Sequence, residues 1–103
     1  MSKLALIIKT RTKPGRRDDV IGLWEEHLKH RAAANADQES YFLCLDNRDA
    51  DVFILFEVYR NPATLAANAE AAWFQDYMNA VMPLLDGPPE VHQTTPFWEK
   101  HPS

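Results

Sequence analysis

The sequence holds one cysteine, Cys44, only three glycines and no long apolar run. A single thiol excludes an internal disulfide framework and any cysteine-based zinc site. Gly15, Gly22 and Gly87 are scattered, so there is no glycine-rich phosphate loop. The apolar stretch Leu4-Ala5-Leu6-Ile7-Ile8 is stopped by Lys9 and Arg11, too soon for a signal-peptide core or a membrane span. Positive charge is scarce as well: the formal net charge is -4, the wrong sign for a protein that lives on nucleic acid. These absences predict a cytoplasmic protein in a reducing compartment, with neither nucleic acid nor a membrane as its partner.

What is present is an ordinary globular composition, 46% hydrophobic, 25% charged and 11% aromatic over 103 residues, which fits one domain spanning 1–103. The charge is uneven: residues 1–31 carry eight Lys and Arg against four acids, residues 32–103 three against eleven. Lys9, Arg11, Lys13, Arg16 and Arg17 form a basic cluster that reads either as a solvated turn or as a lure for an anionic partner.

Leu4–Thr12 reads as a strand, closed by Lys13-Pro14-Gly15. From Arg16 to about Ala34, Val20, Leu23, Trp24, His27 and Leu28 recur at helical spacing, with Asp18 and Asp19 in the first turn and Lys29, His30 and Arg31 near the end, as the helix dipole favours. Two apolar runs, Glu39–Asp46 and Asp51–Tyr59, flank the polar stretch Asn47–Ala50 and predict a hairpin. Asn61-Pro62 signals a helix start. A short helix to about Asn68 and a longer one over Glu70–Leu85 follow, then a last strand at Glu90–Thr95 and a tail at 96–103. The core thus spans about 4–95, and the order β-α-β-β-α-β predicts an α+β, ferredoxin-like fold: a four-stranded antiparallel sheet with its helices on one face.

The third strand adds a constraint. Phe53, Leu55 and Tyr59 fall on one parity and Val52, Ile54, Phe56 and Val58 on the other, with only Glu57 breaking the run. A sheet wet on one face should alternate apolar with polar. Exposing an Ile or Phe forgoes about 1.5–3 kcal/mol, so a second copy is predicted to cover the outer face, giving a homodimer packed sheet to sheet.

Candidate chemistry is sparse. His27 and His30 lack the partners of a metal site, so no metal is expected. Ser2, Ser40 and Ser103 lack the strand-to-helix elbow of a nucleophilic serine, and Cys44 inside a strand reads as a small hydrophobe. His27, on the apolar stripe of the first helix, reads either as a boundary histidine or as a base near neutral pH. Asn68, Trp73, Phe74 and Tyr77 gather at the junction of the later helices, where they read either as plain packing or as the wall of an aromatic-ligand cleft.

Lys13-Pro14-Gly15 before an acidic helix start, Phe56-Glu57-Val58-Tyr59-Arg60-Asn61, Leu65-Ala66-Ala67-Asn68 followed by Trp73-Phe74, and Pro83-Leu84-Leu85-Asp86-Gly87-Pro88-Pro89-Glu90-Val91 stand in an order that resembles the antibiotic biosynthesis monooxygenase family, over about Leu4–Val91. The resemblance implies a dimeric α/β barrel and oxygenation of quinols or polycyclic phenols without a cofactor; relatives degrade haem or isomerise small phosphorylated diketones. The chain departs from the family at several places: Asn68 and Trp73 stand where many members carry histidine, Met78 stands where the haem-degrading branch has its histidine, and Asn35-Ala36-Asp37-Gln38-Glu39 replaces the usual Pro-Gly turn before the second strand.

The leading expectation is a monooxygenase acting on a quinol-like or other small aromatic substrate with neither metal nor flavin. His27 or Asn68 would polarise the substrate, Trp73, Phe74 and Tyr77 would form walls, and Phe56 the pocket floor. The alternatives are a dimeric ligand-binding or stress-response protein with no reaction, and an isomerase of a small oxygenated metabolite. An RNA-binding domain of the same element order would need aromatics on its first strand, and Leu4–Thr10 has none.

Overall fold

The computed structural model of the chain describes residues 3–100, so Met1, Ser2 and the last three residues of the expected tail, 101–103, lie outside the described residues. Strand β1 is Leu4–Arg11 and β2 is Gln38–Leu45, while β3 is Val52–Tyr59 and β4 is Glu90–Thr94. They form one antiparallel sheet in the order β2-β3-β1-β4, the ferredoxin-like arrangement. The helices pack on a single face of it, and the buried cluster of Val20, Leu28, Phe53, Leu55, Tyr77, Val81 and Leu85 lies between the two layers.

The first helix is continuous but not uniform. It runs as α1 (Arg17–Trp24), a π-helical turn at Glu25–Lys29, and α2 (His30–Ala34), with helical backbone angles at both joins. The later helical region breaks slightly beyond the expected point. α3 covers Pro62–Glu70 and α4 covers Ala72–Val81, with Ala71 between them extended at ψ 142. Asn61 caps α3 as its sequence suggests, its Oδ1 accepting a bond from the Ala63 N–H at 3.1 Å. The last helical turn, Met82–Leu84, tightens to 3-10 geometry around Pro83, which has no N–H to give.

Strand register assigns the faces. Phe53 and Leu55 lie in the core between sheet and helices, so Glu57 and Tyr59, two and four residues after Leu55, share that inner face. Val52, Ile54, Phe56 and Val58 look outward. This corrects the expectation for Phe56: its side chain leaves the sheet on the side away from the helices and is no pocket floor. Within the single chain Val52 and Val58 are already buried. The exposed apolar surface of the outer face instead centres on Phe42, 57% exposed, and Phe56, 36% exposed, whose rings lie 6.3 Å apart.

The basic cluster near the first turn is largely neutralised from within. Arg11 pairs with Asp49 at 2.6 Å and Arg16 with Asp19 at 2.7 Å. Arg17 reaches across to the β2–β3 loop, where its Nη1 donates to the carbonyls of Asp46, Asp49 and Val52 at 3.1, 3.2 and 3.1 Å. These contacts favour the solvated-turn reading over an anion lure.

Candidate active site

The helical layer does not fill the inner face of the sheet. A cavity of about 590 Å³ opens between them, within the range of roughly 300–1,000 Å³ usual for small-molecule sites. Leu6 and Ile8 of β1, Tyr41 of β2 and Leu55 of β3 line its sheet side, and Leu28, Trp73, Phe74 and Tyr77 line its helical side. The break at Ala71 starts α4 just before Trp73 and Phe74, whose rings meet edge to face at 6.2 Å and an interplanar angle of 90°. Phe74 in turn lies 6.4 Å from Tyr77. The result is an aromatic wall of the kind that accepts a flat ligand.

The one carboxylate on this inner floor is Glu57, which is only 5% exposed. Its Oε1 accepts a bond from the Tyr59 hydroxyl at 2.8 Å and another from Gln38 Nε2, also at 2.8 Å. Gln38 Nε2 further donates to the Tyr59 hydroxyl oxygen at 2.9 Å, closing a triangle. A register irregularity between Gln38 and Ser40 brings Gln38 opposite Tyr59. Both bonds to Glu57 land on Oε1, and Glu57 itself lines the cavity.

Burial pushes the Glu57 carboxyl above its ordinary value, and the bonds from Tyr59 and Gln38 hold it back only in part. The tyrosines around it stay protonated. Burial is the first cause at Tyr59, aided by the nearby charge of Glu57 and opposed by a hydrogen bond from Asn68. Burial likewise raises Tyr41, whose hydroxyl accepts a bond from Trp24 Nε1 at 2.9 Å, and pushes Tyr77 up to about 12. The floor therefore presents one proton acceptor among several hydroxyl donors.

The residues singled out from sequence divide. Asn68, Trp73, Phe74 and Tyr77 all line the cavity. His27 does not: it sits inside the π-helical turn, half-buried, with its ring 6.2 Å from Tyr77. The wider π turn shifts side chains round the axis relative to the regular spacing that placed His27 on the inward stripe. Phe56 is on the opposite face of the sheet. The sequence reading missed Glu57, Gln38, Tyr59 and Tyr41: β3 is apolar on both parities, so the parity that Glu57 shares with Leu55 and Tyr59 does not by itself mark a carboxylate facing the core. Among the described residues, no three His, Cys, Asp or Glu side chains gather as metal ligands.

No protein-family model matches the chain, and no curated protein matches it in sequence. Solved structures do match in shape over nearly the full length. A provisionally named antibiotic biosynthesis monooxygenase from Chloroflexus aurantiacus is 28% identical, with a TM-score of 0.79 and coverage of 97% of this chain and 98% of that one. A protein from Mycobacterium tuberculosis is 25% identical, with a TM-score of 0.83 and coverage of 97% and 100%. A second provisionally named antibiotic biosynthesis monooxygenase, from Caulobacter crescentus, reaches a TM-score of 0.85 at 13% identity, covering 94% of this chain and 92% of its own. The element order, sheet topology and these neighbours agree: the chain has the fold of the antibiotic biosynthesis monooxygenase family.

Proposed function

We propose that the chain is an oxygenase that takes a phenolic or quinol-like molecule into the cavity and passes the substrate's own electrons to O₂. The observation that carries this reading is Glu57, a buried carboxylate among the residues that line an aromatic-walled cavity, with both of its hydrogen bonds on Oε1. A base whose proton affinity is raised by burial is better matched to a weakly acidic phenol than an ordinary carboxylate is.

In this reading Glu57 Oε2 takes the phenolic proton, and the phenolate gives an electron to O₂. The two radicals join at a ring carbon to form a C–O bond. The O–O bond then breaks as the proton on that carbon leaves, so that phenol and O₂ become quinone and water. One oxygen atom enters the product, the other departs in water, and no outside reductant is needed. Tyr59 and Gln38 hold Glu57 in position, while Asn68 is the polar group on the helical side. Trp73, Phe74 and Tyr77 hold the ring and keep water away from the developing charge.

Oxygen uptake with a panel of quinols and fused-ring phenols tests the reading. Turnover that falls by about 10²–10⁴ in Glu57→Gln supports a base at that position. Ligand-dependent thermal stabilisation with no oxygen consumed would replace it with the ligand-binding alternative.

A second copy on the outer sheet face completes the proposal. The exposed Phe42 and Phe56, with Cys44 beside them on β2, form the apolar centre of such a contact. A free, exposed thiol there also fits a reducing, cytoplasmic setting. Phe97 and Trp98, 103% and 75% exposed, are further apolar groups that the single chain leaves bare.

A further inference from the structure

The cavity is polar at two depths. Glu57 lies on its buried floor, whereas Arg31 lines it from an exposed position on α2. The Arg31 guanidinium sits over the Trp73 ring, 4.6 Å from its centroid. A guanidinium held over an aromatic face still has N–H groups to offer a planar anion. Arg11, Arg16 and Arg60 each have a carboxylate partner and Arg17 has three carbonyls, whereas Arg31 and Arg48 have no ion pair among the described residues, and of these two only Arg31 lines the cavity. Asn35, the extended residue that ends α2, lines the same cavity. Its Oδ1 is occupied by the Asp37 N–H at 3.0 Å, which leaves its amide N–H groups as donors beside Arg31.

From this we infer that the ligand carries a carboxylate, or an anion of like shape, at the end remote from its hydroxyl, and that Arg31, assisted by Asn35, receives it at the rim. The inference rests on the oxygenase reading for the hydroxyl end alone. It turns a general phenol site into one selective for hydroxyaryl carboxylates. A molecule with a cationic arm meets repulsion at Arg31, and a neutral aromatic meets only the walls.

The test is a matched pair, 6-hydroxy-2-naphthoate and 2-naphthol, titrated calorimetrically against the full chain and against Arg31→Met and Arg31→Lys. The expected result is that the naphthoate binds roughly ten-fold tighter than the naphthol, the increment of a charge-assisted contact at an open rim. That preference should vanish in R31M, persist in part in R31K, and shrink with added salt. The ratio of naphthoate to naphthol affinity within each variant is the quantity read, since Arg31 also covers the Trp73 ring. Equal binding of the two ligands by the parent overturns the anion-receiving role and leaves the phenol site standing. A preference that survives in R31M overturns the assignment to Arg31, whose charge would then serve only the end of its own helix. Failure of both ligands to bind at millimolar concentration overturns this inference and the oxygenase reading together.

Discussion

Replacing Glu57 by Gln should make the protein more stable and less active, by an amount that depends on pH. The substitution keeps the size of the side chain, and its amide oxygen can accept the same bonds from Tyr59 and Gln38 that Oε1 accepts at 2.8 Å. What it removes is a charge that is 95% shielded from water by the fold, since Glu57 is 5% exposed. Because burial raises the carboxyl above its ordinary value of 4.5, the folded chain retains a proton that the unfolded chain releases as pH rises. The contribution of this group to stability is therefore fully present below the unfolded value and is lost as pH climbs through the folded one. Each unit between the two values costs the parent about 1.4 kcal/mol relative to the neutral variant. For a domain of this size, each kcal/mol moves the melting temperature by roughly 4–8 °C. Thermal unfolding of parent and E57Q, followed by near-ultraviolet circular dichroism from about pH 4 to pH 8, reads this directly. The two melting temperatures should lie closest at the acid end, with the variant gaining as pH rises until the difference levels off. A difference flat across pH, or one that favours the parent increasingly toward pH 8, would refute the argument, because the carboxylate would then be welcome where it lies. Oxygen uptake by the parent should rise over the same interval as the base ionises.

Serine at Phe42 and Phe56 together should convert a sheet-packed dimer into single subunits in sedimentation velocity at micromolar concentration; a parent that already sediments as one subunit refutes the pairing. Arg17→Met removes the donor that joins the start of α1 to three carbonyls around the hairpin loop. A loss of about 2 kcal/mol in urea unfolding is expected, and a change below about 0.5 kcal/mol would mean that water serves those carbonyls equally well.

The elements were legible because each is written in a local code. Asn61-Pro62 marks the α3 start by the two residues best suited to its cap and first position, and the observed bond from Ala63 N–H to Asn61 Oδ1 is that code in action. The aromatic wall was legible too, since Trp73, Phe74 and Tyr77 share one side of a helix. The floor was not. The run of β3 is apolar on both parities, so nothing local says which parity meets the helices, and Phe56 reads as readily as Glu57 for the floor. Only pairing with β1 and β2 across the sheet resolves this, through contacts distant in sequence. His27 stands outside the cavity lining for another reason. Extrapolation at regular spacing assumes one kind of helical turn, and a π turn five residues long leaves no periodic trace.

That π turn also makes the first helix re-indexable. Its extra winding amounts to about one residue more than the α path requires, and it separates Val20 and Leu23, which anchor the helix to the core, from Arg31 and Asn35 beyond. Removing one residue within the segment would let regular winding resume and leave the side chains beyond it near their present bearing, because the wide turn already absorbs the extra residue. Arg31 and Asn35 would keep their places at the mouth. The helix can thus lose a residue in this one short segment while the mouth and the floor keep their side chains.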